Sequence, residues 1–542
     1  MASITRLCVT TVLGLVALVP GPAWGGDPSP TSATPSASTN PPSPDESSQP
    51  TPGRRVLYLP DSVREQLREQ IRQDVIDEFW KENWALPNTV PEWTKRLRFY
   101  GDVRVRYEAD IFPSGNANNG EFPDFNAINT SSPFDLKGVD LSGDKYLNVD
   151  TNRSRFRLRA RLGLDADLGQ SFTAGILFAT GDQNSPVSPN QTLGGSGGFF
   201  SMYPIWIDRA FLRFNPIHNA GGELMMEAGR FENPFFTAKD LLWSENVNLD
   251  GFAFVGAFSA GNLWPFLVLG ASPVYSTAFA YPAYTTEKYP SVNKWLFAGQ
   301  VGTGWQLAEP LHLKLGGAFY YFYNISGVAS SCDTNLANIA CPTDDTRPSF
   351  AQKGNTYMAL RIPTPSAIAA EAAGAPDYQY FGLAAQFREV FATGKLDYRL
   401  LPATLVTLEG ELAWNAGFSR TQVAAKAVNN FAQCDANGVC ADYAGGQYAY
   451  VGRVSVGTPT EERQGDWNVN LAYLHIETDS VVDAFTNPDF GYGGTNLKGY
   501  WLGARALVAN SVSLGVRWMS ADQIIGPTYR FDLLQVDVWG RF

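Results

Sequence analysis

Between Arg153 and Arg161 every second residue is an arginine: Arg153, Arg155, Arg157, Arg159 and Arg161 alternate with Ser154, Phe156, Leu158 and Ala160, and Leu162 follows. A β-strand sends successive side chains to opposite faces, so this segment carries five guanidiniums on one face and a mainly apolar strip on the other. Five like charges on one face repel. They persist only where water and facing acids screen them. Two settings qualify. One is the solvated outer face of a soluble sheet. The other is the wet interior of a wide barrel whose opposite face meets lipid.

The rest of the chain follows the same scheme, which a single solvated strand would not explain. In Arg96–Glu108 even positions are mostly charged and odd positions apolar or small. Ile207–Phe214, Leu224–Arg230, Leu311–Phe319, Tyr380–Phe387, Thr404–Trp414, Val451–Gly457, Trp467–Leu474, Tyr500–Val508 and Val512–Trp518 also alternate or nearly so. Gly, Asn, Asp and Pro clusters separate them. The longest uncharged stretch, Gly251–Thr286, is interrupted by Gly256, Gly261, Pro265, Gly270 and Pro273. It reads as two lipid-facing strands rather than a membrane helix. At the carboxyl end Leu534, Val536, Val538, Gly540 and Phe542 share one face, with Gln535, Asp537 and Arg541 largely on the other. A last strand ending on an aromatic residue, Phe542, resembles the signal that barrel-assembly machinery recognises. The expected fold is therefore all-β: a transmembrane antiparallel barrel over residues 93–542. That length suits about 16 strands, and 18 also fit.

Export fits this reading. Arg6 precedes the apolar run Leu7–Val19, Pro20 and Pro22 break it, and Ala23-Trp24-Gly25 places small residues at a cleavage site. Residues 1–25 read as a signal peptide, too short in its apolar part to span a bilayer. The mature chain keeps Cys332, Cys341, Cys434 and Cys440, each pair inside a short turn-rich stretch. Two loop disulfides, Cys332–Cys341 and Cys434–Cys440, are expected in an oxidising compartment. The spacings match no zinc pattern and no histidine is near, so no metal or other cofactor is expected. The 14 Trp, 23 Tyr, 34 Phe and 51 Gly suit aromatic girdles, turns and a wet interior. A net charge of -12 disfavours nucleic acid as a partner.

Residues 26–56 are rich in Pro, Ser and Thr and read as a disordered linker. A periplasmic helix is expected over 57–86. Ser62 and Glu65 form a capping box, and Val63, Leu67, Ile71, Val75 and Phe79 make one narrow stripe. Pairing with copies of itself, lying against the barrel mouth and serving as a solvated spacer all fit this helix.

Several local segments stand out: Leu57-Tyr58-Leu59-Pro60-Asp61-Ser62-Val63, Glu82-Asn83-Trp84-Ala85, Pro91-Glu92-Trp93-Thr94-Lys95-Arg96-Leu97-Arg98 and Gly101-Asp102-Val103-Arg104. They continue in Asn152–Arg159, Ala228-Gly229-Arg230-Phe231-Glu232-Asn233-Pro234-Phe235, Asp240-Leu241-Leu242-Trp243 and Asn248-Leu249-Asp250-Gly251. In these segments the chain resembles the bacterial "putative porin" family of outer-membrane proteins. The resemblance covers most of residues 57–542 and implies an outer-membrane barrel with pore function, without a defined substrate. The Pro-rich linker and the cysteine loops stand apart from these segments.

The expected function is a water-filled channel for passive diffusion of small hydrophilic solutes or ions. Arg98, Arg104, Arg106, Arg153, Arg155, Arg157, Arg159 and Arg161 would form a positive wall. Asp102, Glu108, Glu409 and Glu411 are the acidic candidates for setting a field across the lumen. Mild anion preference follows, although the same ladder could merely neutralise neighbouring acids. Expected partners are outer-membrane lipid, the assembly machinery, the permeating solutes and, by porin analogy, two further copies in a homotrimer. An enzyme is the main rival class, but His218, His312 and His475 are scattered and no nucleophile elbow or phosphate loop is visible. A plugged transporter would need a folded domain ahead of the first strand, where there is mainly linker and one helix. A tethering barrel differs from a channel in whether its lumen conducts.

Overall fold

A computed structural model describes residues 94–542, apart from 118–119, 138–144, 196, 239, 241, 284–285 and 433–440. The expected signal peptide, linker and helix, and the pair Cys434–Cys440, lie outside the described residues. Cys332 and Cys341 are joined by a disulfide, with Cα atoms 5.8 Å apart.

Sixteen long strands run antiparallel, each hydrogen-bonded to the next. They are β1 (Leu97–Ile111), β2 (Arg153–Gly169), β3 (Phe172–Ala179), β4 (Trp206–Asn219), β5 (Gly222–Glu232), β6 (Asn248–Phe258), β7 (Leu263–Tyr275) and β8 (Lys294–Ala308). They continue as β9 (Leu311–Tyr323), β10 (Arg388–Leu401), β11 (Thr404–Asn415), β12 (Tyr448–Gly457), β13 (Trp467–Ile476), β14 (Leu497–Ala509), β15 (Val512–Gln523) and β16 (Arg530–Arg541). β16 pairs back onto β1 from Asp102↔Arg541 to Ile111↔Asp532, which closes the barrel and leaves no open edge. The two strands read within Gly251–Thr286 are β6 and β7.

Strand alternation sets which face each residue takes. On β1 Val103 and Val105 point outward and exposed, while Asp102, Arg104, Arg106, Glu108 and Asp110 are buried within the barrel. The outward face of β2 carries exposed Phe156 and Leu162. Such a face is stable against lipid and costly against water.

The two ends differ. Connections at one end are short, as at 170–171, 220–221, 309–310, 402–403 and 510–511. Those at the other are long, including 112–152, 324–387, 416–447 and 477–496. The long loops fold inward. Phe125, Tyr357, Phe381, Leu383 and Phe490 from the loops share one buried core with the inward strand residues Phe391, Val451, Leu474 and Trp501. Buried polar contacts knit the loops together: Asp479 accepts from the Thr356 hydroxyl at 2.6 Å and from the Tyr443 hydroxyl at 2.9 Å.

This inward packing corrects one sequence expectation. Tyr380–Phe387 does not form a barrel strand; it belongs to the 324–387 loop, and the strand begins at Arg388. Phe381, Leu383, Ala384, Ala385 and Phe387 are all buried, so the segment has no lipid-facing side despite its local alternation.

Candidate functional site

The arginine ladder of β2 meets β1 in register: Arg161 opposite Asp102, Arg159 opposite Arg104, Arg157 opposite Arg106 and Arg155 opposite Glu108. Like charges face each other in two of these rows, so Arg159 and Arg157 find their acids along the diagonal, while Arg161 and Arg155 meet theirs directly opposite. Asp102 accepts from Arg159 Nε at 2.9 Å and Arg161 Nε at 2.7 Å. Glu108 accepts from Arg155 Nη2 at 2.6 Å and Arg157 Nη1 at 3.3 Å. Arg106 donates from Nε to Asp537 Oδ1 at 2.6 Å on β16 and from Nη1 to Asp489 Oδ2 at 3.0 Å in the 477–496 loop. Carboxylates set between guanidiniums in this way recover much of the desolvation cost through charge-assisted hydrogen bonds.

Asp102→Asn removes the one acid shared by Arg159 and Arg161. Arg159 is only 1% exposed, and a buried charge that loses its partner costs about 3–5 kcal/mol. The urea midpoint of the refolded barrel is expected to fall accordingly. An unchanged midpoint would show that water replaces the carboxylate at no cost.

Other predicted residues sit elsewhere. Arg153 lies at the exposed outer end of β2, opposite Asp110. Arg98 is exposed near the short-turn end, with its guanidinium 5.7 Å from the Tyr100 ring centroid. Glu409 pairs with Arg453 on β12. Glu411 is buried beneath the 233–247 loop, where it accepts from the Ala238 amide at 3.3 Å and the Thr393 hydroxyl at 2.8 Å.

The 233–247 loop is clamped inside the barrel at several further points. The Phe236 amide donates to Gln300 Oε1 at 2.7 Å, and Gln300 Nε2 returns a bond to the Phe236 carbonyl at 2.7 Å. The Ser244 amide donates to the Phe485 carbonyl at 3.0 Å, and Trp243 stacks on Phe485 with centroids 5.6 Å apart. Trp243 lines two cavities. One, of about 450 Å³, lies toward the short-turn end and touches Asp102, Arg159, Arg161 and Glu245. The other, of about 250 Å³, lies toward the loop end and touches Lys294, Leu296 and Phe350.

Glu245 stands open to the water of the lumen. Burial by the surrounding walls works to raise its carboxyl. The guanidiniums of Arg159, Arg517, Arg104 and Arg161 outweigh that and hold it below its ordinary value. Asp240, 3.5 Å from Arg517, is pushed above its ordinary range by burial and by the neighbouring Glu245. Asp489 also feels burial, yet Arg106 and Arg157 keep it well below the usual carboxylate range. The acids facing the positive wall from the loops are thus Glu245, Asp240 and Asp489. Sequence reading missed them, together with Trp243 and Arg517. The available signal was the stretch 233–247 itself: too long for a hairpin turn, and carrying Trp243 and Glu245 between two clear strands.

A closed antiparallel barrel with an apolar outer face, short turns at one end and a charged, loop-narrowed interior defines the class of outer-membrane channel proteins. The chain belongs to the family described as "Putative porin", which matches residues 27–542 and so extends beyond the segments that first suggested it. No curated protein matches the chain. Similar solved structures include the outer membrane channel DcaP of Acinetobacter baumannii, at 10% identity and TM-score 0.37, covering 82% of this chain and 97% of that one. OmpF of Salmonella typhi, in a complex with daunomycin, is 8% identical at TM-score 0.35, covering 82% and 97%. A trimeric OmpT of Vibrio cholerae is 9% identical at TM-score 0.37, covering 82% and 99%.

Proposed function

We propose that this protein is a passive outer-membrane porin for small hydrophilic solutes, with a mild preference for anions. The carrying observation is the constriction. A wall of arginines on β1 and β2 faces Glu245 and Asp240 on an inward-folded loop, with a cavity between them. Fixed charges of opposite sign on opposite walls act on an ion without binding it tightly, which suits passage rather than capture. The guanidiniums of Arg98, Arg104, Arg106 and Arg153–Arg161 are proposed as its pore-lining set with Asp102, Glu108, Glu409 and Glu411. Glu411 acts there mainly by holding the loop. A homotrimer is proposed as the working assembly.

The test is conductance of the purified full-length protein in planar bilayers under a salt gradient. Stable open steps with a reversal potential on the anion side are expected. Substituting Arg161 and Arg157 by Ser should move the reversal potential toward cations, because their acid partners Asp102 and Glu108 stay behind. A folded protein that never conducts would replace the channel reading with a tethering one. Cation preference unaffected by these substitutions would remove the arginines from selectivity.

A further inference from the structure

The loop-end cavity of about 250 Å³ differs in chemistry from the arginine-walled constriction. Charged side chains line it, and each is already engaged. Arg230 Nη1 donates to both oxygens of Asp250, at 3.3 and 3.1 Å, and Arg230 Nε donates to the Asp208 carbonyl at 2.8 Å. Lys294 donates to the Thr346 and Arg347 carbonyls at 2.9 and 2.7 Å and stands 5.5 Å from the Tyr275 ring centroid. Asp483 accepts from the Tyr357 hydroxyl at 3.0 Å. An ion binding here would have to displace one of these partners and leave a buried group unpaired.

The polar groups left over are neutral. The side chains of Gln183, Ser185, Ser272 and Ser349 line the cavity and hydrogen-bond to no other described residue. A hydroxyl both donates and accepts, and so does an amide. Gln183 and Ser349 are exposed, so solvent reaches the cavity beside them, whereas Ser272 is buried. Leu249, Leu296 and Phe350 supply an apolar wall. Phe485 lies between Trp243 and Phe322, parallel to them within 8° and 12°, so neither of its faces is open to a flat solute. Trp243 gives one face to Phe485 and meets Tyr320 at 5.4 Å.

Neutral hydrogen-bonding groups around an apolar wall, with the charges already paired, match a solute that is uncharged, rich in hydroxyls and apolar on one side. We infer that this cavity is a binding subsite for one monosaccharide ring. A pyranose carries C–H groups across its face and hydroxyls round its edge, so the face meets the apolar wall while the edge meets the serines and Gln183. A drug-sized ligand needs roughly 300–1,000 Å³, so a cavity of about 250 Å³ holds a single ring. The subsite deepens the channel reading, on which its place in a permeation path rests; its binding rests on the cavity alone.

Saturation-transfer NMR on the purified full-length protein, in a zwitterionic detergent that carries no sugar, tests this without requiring conductance. The probes are glucose and galactose, with acetate and phenol as controls. Saturable transfer to the hydrogens of at least one sugar is expected. Ser272→Leu, which removes a hydroxyl and fills the space, should weaken binding about tenfold or more. Gln183→Ala combined with Ser185→Ala should weaken it about threefold. These two lie in the 180–205 loop rather than the wall, so they keep the test valid if the buried change does not fold. Transfer that does not saturate with either sugar, or binding indifferent to both variants, would overturn the subsite. Acetate or phenol binding in place of the sugars would overturn it too, in favour of an anion or a flat aromatic ring. Swelling of proteoliposomes in glucose reads the channel separately. Binding without swelling would refute permeation and keep the subsite; swelling without binding would do the reverse.

Discussion

Replacing Leu242–Asn246 with five glycine and serine residues is expected to raise single-channel conductance about threefold or more, because a tryptophan and its neighbours occupy a large share of a narrowed lumen. Trp243 stands between the two cavities, so its removal should join them. The same change deletes Glu245, the acid that faces the arginines most openly. Anion preference should therefore increase along with conductance. The flanking clamps survive, since Gln300 holds Phe236 and Glu411 holds Ala238, both outside the replaced segment. A conductance equal to that of the unaltered protein would place the solute path elsewhere.

Deleting Phe542 is expected to lower the amount of folded barrel in the outer membrane about tenfold, since closure of the last strand onto the first satisfies backbone groups that lipid cannot. The residue makes the final reciprocal pair of the seam: the Gly101 amide donates to the Phe542 carbonyl at 2.9 Å, and the Phe542 amide donates back at 3.1 Å. Its ring rests over Gly101, where an added Cβ would stand 2.6 Å from it. A side chain at position 101 would force that ring away. Phe542→Tyr should assemble nearly normally, because it keeps the ring and the strand pair. Heat-modifiable migration of the membrane fraction on gels measures the outcome. Normal assembly without Phe542 would remove its proposed role as an assembly signal.

Strand faces were legible wherever the lumen stays polar. β1 and β2 carry charge on every second residue, and their inward faces follow directly. Three strands escaped notice. Along β8 the inward positions Ala298, Gln300, Gly302 and Gly304 are small or neutral, so apolar alternation fades. β3 is short. β10 places Phe391 inward at 2% exposure, because loop side chains pack on it. A loop-filled interior thus makes some inward positions apolar and erases the pattern that marks a strand. The same packing gave Tyr380–Phe387 the look of a strand while burying both of its sides.

The candidate site divides along the same line. Arg153–Arg161 and the acids of β1 could be placed on one wall from spacing alone, because a period of two is a local property of the chain. Their partners could not. Arg106 finds Asp489 and Asp537, residues nearly four hundred or more positions away, only when the barrel closes and a loop folds in. Glu245 becomes the acid opposite the ladder only because Gln300 and Glu411 hold its loop across the lumen. By itself the sequence determined a lipid-facing barrel with a charged inner wall, since alternation follows from local backbone geometry. Which loop narrows the lumen, and which charges meet there, was decided by tertiary structure, because contacts between distant segments depend on closure and packing.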